Sequence, residues 1–222
     1  ITNTTTNLTI SGTSEANASI VLSSDLDGFR GTTTANGSGN WTIDISLSSN
    51  THSVTATATD TAGNTSGSSA ILSITIDTSI NTPVSLDLDA SDDTGSSSID
   101  NITSNTTNLT ISGTSEANAS VTLTSDKTGN RGTAIADGAG NWTIDISLSS
   151  NTHAVTAVAT DTAGNVSASS IALSITVDTS VNAPAALDLD SADDTGDSSS
   201  DNITSNTANL TISGTSEANA SV

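Results

Sequence analysis

Carboxylates are the one reactive group this sequence supplies in quantity: 24 Asp and Glu stand against 3 Lys and Arg, with 2 His and no Cys or Tyr. They are bunched, because the stretches 77–101 and 178–202 hold 13 of the 24. The first carries Asp77, Asp87, Asp89, Asp92, Asp93 and Asp100, and the second Asp178, Asp188, Asp190, Asp193, Asp194, Asp197 and Asp201. Carboxylates a few ångströms apart repel one another unless a cation sits among them. A hard cation taking about six to eight oxygens at about 2.3–2.6 Å suits such loops, which points to Ca2+. The competing reading is that single Asp residues merely cap Asp-Thr-Gly and Asp-Gly turns; clusters exceed what a turn needs. No EF-hand is present, since a frame opened at Asp89 puts Thr94 where Gly is required and Asp100 where Glu is required. The Gly-rich nonapeptide of calcium-binding β-rolls is missing as well.

Other chemistries have little material. A net charge of −21 repels nucleic-acid phosphates and anionic lipid, so neither is an expected partner. With no Cys there is neither a disulfide nor a thiolate metal site, and no apolar run reaches membrane-spanning length. His52 and His153 fall at the same place in two copies of a repeat and are expected to hydrogen-bond across a strand corner, not to catalyse. No Gly-x-Ser-x-Gly elbow occurs, and paired carboxylates without aromatic subsites do not make a glycosidase. Trp41 and Trp142 each follow a Gly-Asn turn and are expected to anchor a core instead of offering a sugar platform. The chain is expected not to be an enzyme, and the Asn-x-Ser/Thr triplets reflect composition.

The elements that must position these acids are set by repetition. The segment Ile1 to Ile20 recurs at Ile102 to Val121 and at Ile203 to Val222, a period of 101 residues, which is domain-sized. Leu, Ile, Val and Phe make up under a fifth of the residues, a composition that by itself points to disorder. Pattern overrules it, because short runs alternate apolar and polar residues at spacing two and no helix signal appears. The complete unit predicts seven strands, over 85–89, 108–113, 120–124, 132–136, 142–148, 154–161 and 171–178. Its core is expected from Leu109, Ile111, Val121, Leu123, Trp142, Ile144, Ile146, Leu148, Val155, Ala157, Ala159, Leu173, Ile175 and Val177. That count fits an all-β chain of tandem immunoglobulin-like sandwiches. The expected domains are 1–82, lacking a first strand, 83–182, complete, and 183–222, the start of a third. The lack of an initiator Met and the stop early in the third copy predict a piece of a longer array, with 203–222 poorly ordered.

An odd strand number puts the two ends of a unit at opposite poles, so strand direction sorts the acids. One junction is expected to gather Asp77 with Glu116 and Asp161, beside Asp137 and Asn165. The next is expected to gather Asp92, Asp93, Asp100 and Asp178 with Glu217. Asp193, Asp194 and Asp201 repeat the first three one period later.

Several stretches carry a family likeness: Pro184, then Leu187-Asp188-Leu189-Asp190, Asp193-Asp194-Thr195-Gly196 and Asp201-Asn202-Ile203-Thr204, with Leu109 to Glu116, Gly138 to Trp142, and His153 to Asn165. Together they resemble the tandem bacterial Ig-like repeats of giant type I-secreted adhesins, the RTX and biofilm-associated class, over essentially the whole chain. The resemblance implies an extracellular extender on a bacterial surface, stiffened by Ca2+ near its junctions and supporting adhesion and biofilm formation. It also implies calcium ligands in the Asp-Asp-Thr-Gly loop, at the Asp ending the last strand and at Asp161. The alternative is an adhesive module that binds a carbohydrate or partner-cell ligand directly. Near-identical copies favour the spacer, since reach grows with copy number whether or not a copy binds. The expected partners are Ca2+ and neighbouring repeats of the same chain, in a monomer.

Overall fold

A computed structural model of the chain describes residues 1–218 and 220–222. It divides into two compact units, Ile1–Val177 and Asp178–Val222. Among the described residues all regular elements are strands. In chain order the first repeat contains β1 (Leu8–Thr13), β2 (Ser19–Ser24), β3 (Gly28–Thr34), β4 (Asn40–Ile45), β5 (Asn50–Thr59) and β6 (Leu72–Ile76). The second contains β7 (Val84–Leu88), β8 (Ile102–Thr103), β9 (Leu109–Thr114), β10 (Ser120–Ser125), β11 (Gly129–Ile135), β12 (Asn141–Ile146), β13 (Asn151–Thr160) and β14 (Leu173–Val177). The second unit holds β15 (Ala185–Leu189) and β16 (Ile212–Thr215).

The second repeat is a two-sheet sandwich of the immunoglobulin kind. One sheet runs β12-β9-β7 and the other β11-β10-β13-β14-β8. Spacing-two apolar positions on both inner faces build the core, and Leu109, Ile111, Val121, Leu123, Val155, Ala157, Ala159 and Ile175 are wholly buried there. All the expected core residues lie in this cluster, Leu173 only partly buried; Leu88, Ala119 and Ala136 join them. Trp142 is 3% exposed and lies so close over Gly113 that any side chain there would overlap its ring. It is a core anchor and no sugar platform.

Strand limits differ from those expected in instructive places. β11 starts three residues early, because the chain reverses at Asp126 to Thr128 and Gly129 takes a positive φ of 72° to re-enter the sheet. Ile171, expected in the last strand, is 92% exposed and precedes it. β7 is not a plain strand: its pairing with β9 slips between Val84 and Asp87, and Ser85 sits at φ 57°. The two-residue β8, unforeseen, pairs parallel with β14.

The first repeat is built alike, with sheets β1-β4 and β3-β2-β5-β6 and a parallel bridge Thr2↔Ile76 in place of β8. Among the described residues nothing pairs with the second edge of β1. In the second unit β15 and β16 form a two-stranded sheet, with Ala186 at φ 50° matching Ser85 one period earlier. The last stretch of chain therefore carries a strand, β16, paired with β15.

Candidate metal centre at the repeat junction

Among the described residues one trio of acids could hold a metal ion: Asp77, Glu116 and Asp161, with carboxylate oxygens within 4.8 Å of one another. Each arrives from a different element. Asp77 follows β6 of the first repeat and donates its backbone N–H to Thr2 O (2.9 Å), which fixes where the first repeat's last strand ends. Glu116 sits in the loop after β9, where Ala119 N donates to Glu116 O (3.1 Å). Asp161 begins the turn after β13, and its Oδ1 accepts the N–H groups of Ala163 and Asn165, both at 2.8 Å. Asn165 is the link across the junction, since its Nδ2 donates both to Asp161 Oδ2 and to Asp77 O, each at 2.8 Å.

The electrostatics of the trio are unequal. Burial, then the Asp77 and Asp161 carboxylates, raise the pKa of Glu116. Burial pushes Asp161 the same way, but hydrogen bonds from the Asn165 side chain and the amides of the turn outweigh it and hold its pKa low. The site thus sets one carboxylate whose pKa is held low beside one whose pKa is raised. A cation placed among the three would relieve their mutual repulsion, and carboxylate and carbonyl oxygens are the donors a hard ion takes. In the first repeat the counterparts Glu15 and Asp60 belong to no such trio among the described residues. Asp60 accepts from Ala62, Asn64 and the Asn64 side chain.

The other expected ligands are held by their own loops. Asp92 Oδ2 accepts from Thr110 N (2.9 Å) and Asp93 Oδ2 from Asn101 N (3.0 Å), while Asp100 Oδ1 accepts from Ile102 N (3.2 Å). One period later Asp193 accepts from Thr211 N, Asp194 from Asn202 N and Asp201 from Ile203 N. Asp178 accepts from Ser180 N, and Glu217 from the backbone and side chain of Asn182. The Asp-Asp-Thr-Gly loop is therefore a folded turn whose acids replace missing backbone partners. Asp93 and Asp194 are each 5% exposed, and in both the Oδ1 atom is buried without a hydrogen-bond partner. A buried carboxylate oxygen without a donor is costly, and the same oxygen is left so in both copies of the loop.

Both histidines are structural. His153 is wholly buried, with Nε2 3.0 Å from Ser149 O and Nδ1 2.9 Å from Ser125 Oγ. A carbonyl can only accept, so Nε2 carries hydrogen and donates, and the ring ties the end of β10 to the corner before β13. His52 repeats the arrangement with Ser48 O and Ser24 Oγ, both at 2.8 Å. Arg131 donates to Thr128 O, Asn130 O and Ser147 O, bracing the β10–β11 hairpin against the end of β12.

A family model described as a bacterial Ig-like domain matches residues 1–78 and again 79–179. The chain belongs to the bacterial Ig-like domain family and consists of tandem repeats of it. No curated protein matches significantly. Among solved structures it is similar to a host-cell-surface-retained 1.5-MDa bacterial ice-binding adhesin, at 21% identity and a TM-score of 0.44 over 82% of this chain. It is also similar to the BSP domain of a biofilm-associated protein, at 18% and 0.31 over 81%. A third is a set of fibronectin(III)-like modules of Clostridium thermocellum CbhA, at 14% and 0.39, covering 77% of this chain and 86% of that one. The chain spans 61% of the adhesin structure and 28% of the biofilm-associated one.

Proposed function

We propose that this chain is a non-enzymatic extender segment of a large bacterial surface adhesin, working outside the cell, in which Ca2+ bound at the junction between repeats fixes one sandwich on the next. The reading rests on one observation: the acid that ends the first repeat lies within 4.8 Å of two acids from separate loops of the second. Three carboxylates so placed repel when bare and attract jointly when a cation enters, so the junction is loose without Ca2+ and stiff with it. Asp77, Glu116 and Asp161 are the ligands, with Asn165 orienting the backbone between them. The orphaned Asp93 and Asp194 oxygens make the Asp-Asp-Thr-Gly loops a second place for the ion, completed by Asp92 and Asp100 or by Asp193 and Asp201. Sites of the extracellular kind bind with Kd of about 0.1–1 mM, which leaves them empty in a cytoplasm and full outside. The role served is cell adhesion and biofilm formation, with the repeats holding a distal module away from the surface.

Calorimetric titration with Ca2+, paired with small-angle scattering, tests this. The expected result is millimolar-range binding, a narrower spread of particle lengths and a higher melting temperature, with Mg2+ less effective because it requires strict octahedral geometry. Superimposable scattering and melting curves with chelator and with Ca2+ would leave a plain tether in its place.

A further inference from the structure

The turn between β3 and β4 and its counterpart between β11 and β12 differ at one residue that matters chemically. The first reads Ala35-Asn36-Gly37-Ser38-Gly39-Asn40 and the second Ala136-Asp137-Gly138-Ala139-Gly140-Asn141. Both close in the same way. Asn36 N donates to Asn40 O and Gly39 N to Asn36 O, each at 2.8 Å, while Asp137 N donates to Asn141 O and Gly140 N to Asp137 O, each at 2.9 Å. The side-chain Oδ1 is held too. In Asn36 it accepts from the N–H groups of Ser38 and Asn40 at 2.9 and 3.0 Å, and in Asp137 from those of Ala139 and Asn141 at 2.8 and 2.9 Å. An amide in the first repeat thus occupies the place a carboxylate takes in the second.

The amide is the poorer fit. Two backbone donors fix which atom is Oδ1, so Asn36 turns its Nδ2 to where Asp137 has Oδ2. The Asn141 side chain donates to that oxygen at 3.3 Å, whereas among the described residues Asn40 makes no such bond, because two amide nitrogens cannot pair. The backbone N–H of Asn141, then that of Ala139 and the Asn141 side chain, hold the pKa of Asp137 below its ordinary value, so the turn favours a charged acceptor. Asn-Gly occurs nowhere else in the chain.

We infer that Asn36 is a self-modifying site, which in the folded chain loses its amide to water and becomes the aspartate that the second repeat carries from the start. The nucleophile is the backbone nitrogen of Gly37, an exposed residue whose N–H has no acceptor among the described residues. A Cβ built on Gly37 would meet nothing within 4 Å, so the space about that nitrogen is open. The two N–H groups on Oδ1 draw electrons from Cγ and are placed to hold the negative oxygen of the tetrahedral intermediate. A solvent base takes the Gly37 proton, the nitrogen bonds to Cγ, and the Cγ–Nδ2 bond breaks, so that ammonia leaves and a cyclic imide remains. Water then adds to the imide and reopens it. Addition at Cγ gives aspartate with the main chain unaltered; addition at the main-chain carbonyl gives isoaspartate, which lengthens the turn. In sum a water is consumed, an ammonia is released and nothing is oxidised or reduced. The turn lies on the loop of Glu15, since Ser14 N donates to Gly39 O at 2.9 Å and Asn17 N to Ala35 O at 3.2 Å. The new carboxylate therefore joins that acid at one pole of the repeat and adds to the −21 already present.

Ageing the folded 222-residue chain in heavy-oxygen water at mildly alkaline pH, followed by isoelectric focusing and peptide mapping, is the test. An acidic form should accumulate, with the label in the peptide that holds Asn36 and the other asparagines unchanged, at a rate within about tenfold of that in the isolated peptide 32–41, which lacks the turn's tertiary support. Gly37→Ala folds alike, having no contact to disturb, and should slow the change about tenfold or more because a side chain crowds the attacking nitrogen. Asn36→Asp should show no further acidic shift and should melt no lower than the parent chain. An Asn36 that keeps its amide in the folded chain while the peptide loses its own, a rate untouched by Gly37→Ala, or an Asn36→Asp chain that melts lower would overturn the inference.

Discussion

The first and second repeats share almost every apolar position and yet bury them to different depths. Leu109, Ile111, Ala157, Ala159 and Ile175 are sealed, whereas Leu8, Ile10, Ala56, Ala58 and Ile74 are only partly covered. Trp142 is buried and Trp41 only partly buried over an equally tight glycine, Gly12. The difference is β7, the five-residue first strand of the second repeat, which brings Leu88 into that core. The second repeat's core is thus completed by its own first strand. The acids at the junction differ, because their trio needs Asp77 from outside the second repeat.

The largest expected effect comes from making the second repeat resemble the first. Leu88→Ala should cost about 2–5 kcal/mol, the range for deleting a buried leucine. In a Trp41→Phe background, denaturant unfolding followed by Trp142 emission should show a lower midpoint and a native emission shifted to the red. Next is the cation. A hundredfold excess of Ca2+ over Kd adds about 2.7 kcal/mol per site, and Asp161→Asn should remove most of the gain while Asp60→Asn should not. Equal losses from the two would break the comparison at the junction. A third change should treat the repeats alike: Ser125→Ala and Ser24→Ala each take away a hydroxyl from a buried His ring, at about 1 kcal/mol apiece. Unequal costs, read from the separate Trp signals, would trace to Asp27, whose carboxylate lies 3.8 Å from His52 Nδ1 where the second repeat has Thr128.

The smallest effect is a pH profile. Glu116 has a pKa raised above its ordinary 4.5, so without Ca2+ its contribution is fully present below that value and is lost as pH rises through the folded value. Asp161 runs the other way, contributing above its ordinary 3.8 and losing that as pH falls through its lowered value. Glu116→Gln should therefore flatten the loss of stability on the way from mildly acid to neutral pH in chelator. The same substitution should weaken Ca2+ binding, and stability measured with and without the ion should move in opposite directions.

Much of the fold was legible because alternation at spacing two is a strong signal: the inward sets of β9, β10, β12 and β13 follow from it directly. The Asp77, Glu116 and Asp161 meeting follows from strand direction alone, since an odd strand count places those loops at the pole facing the preceding repeat. What was illegible has local causes. The bulge in β7 depends on Ser85 adopting a left-handed conformation, which serine seldom signals. β8 is two residues long, too short for any period. Asp92 and Asp93 look like free ligands in sequence, but each carboxylate has an amide partner 8 or 18 residues away that only the folded loop reveals. The unequal burial of Trp41 and Trp142 is not written in their flanking residues, which are the same; it follows from the first strand that 1–82 is expected to lack.

The parallel pairing of β8 with β14 bears on how a tethered chain would carry load. Thr176 N donates to Asn101 O at 2.9 Å, and Thr103, 1% exposed, lies opposite Val177. Parallel strands at the entry and exit of a repeat are drawn in opposite directions when the ends are pulled, so their hydrogen bonds are sheared together instead of being peeled one at a time. The first repeat has the same clamp, reduced to Thr2 bonded on both sides, to Thr75 O and Asp77 N. The β8–β14 pairing is thus loaded in shear once tension has passed β7, and rupture forces that did not fall on substituting Thr103 with proline would place the resistance elsewhere.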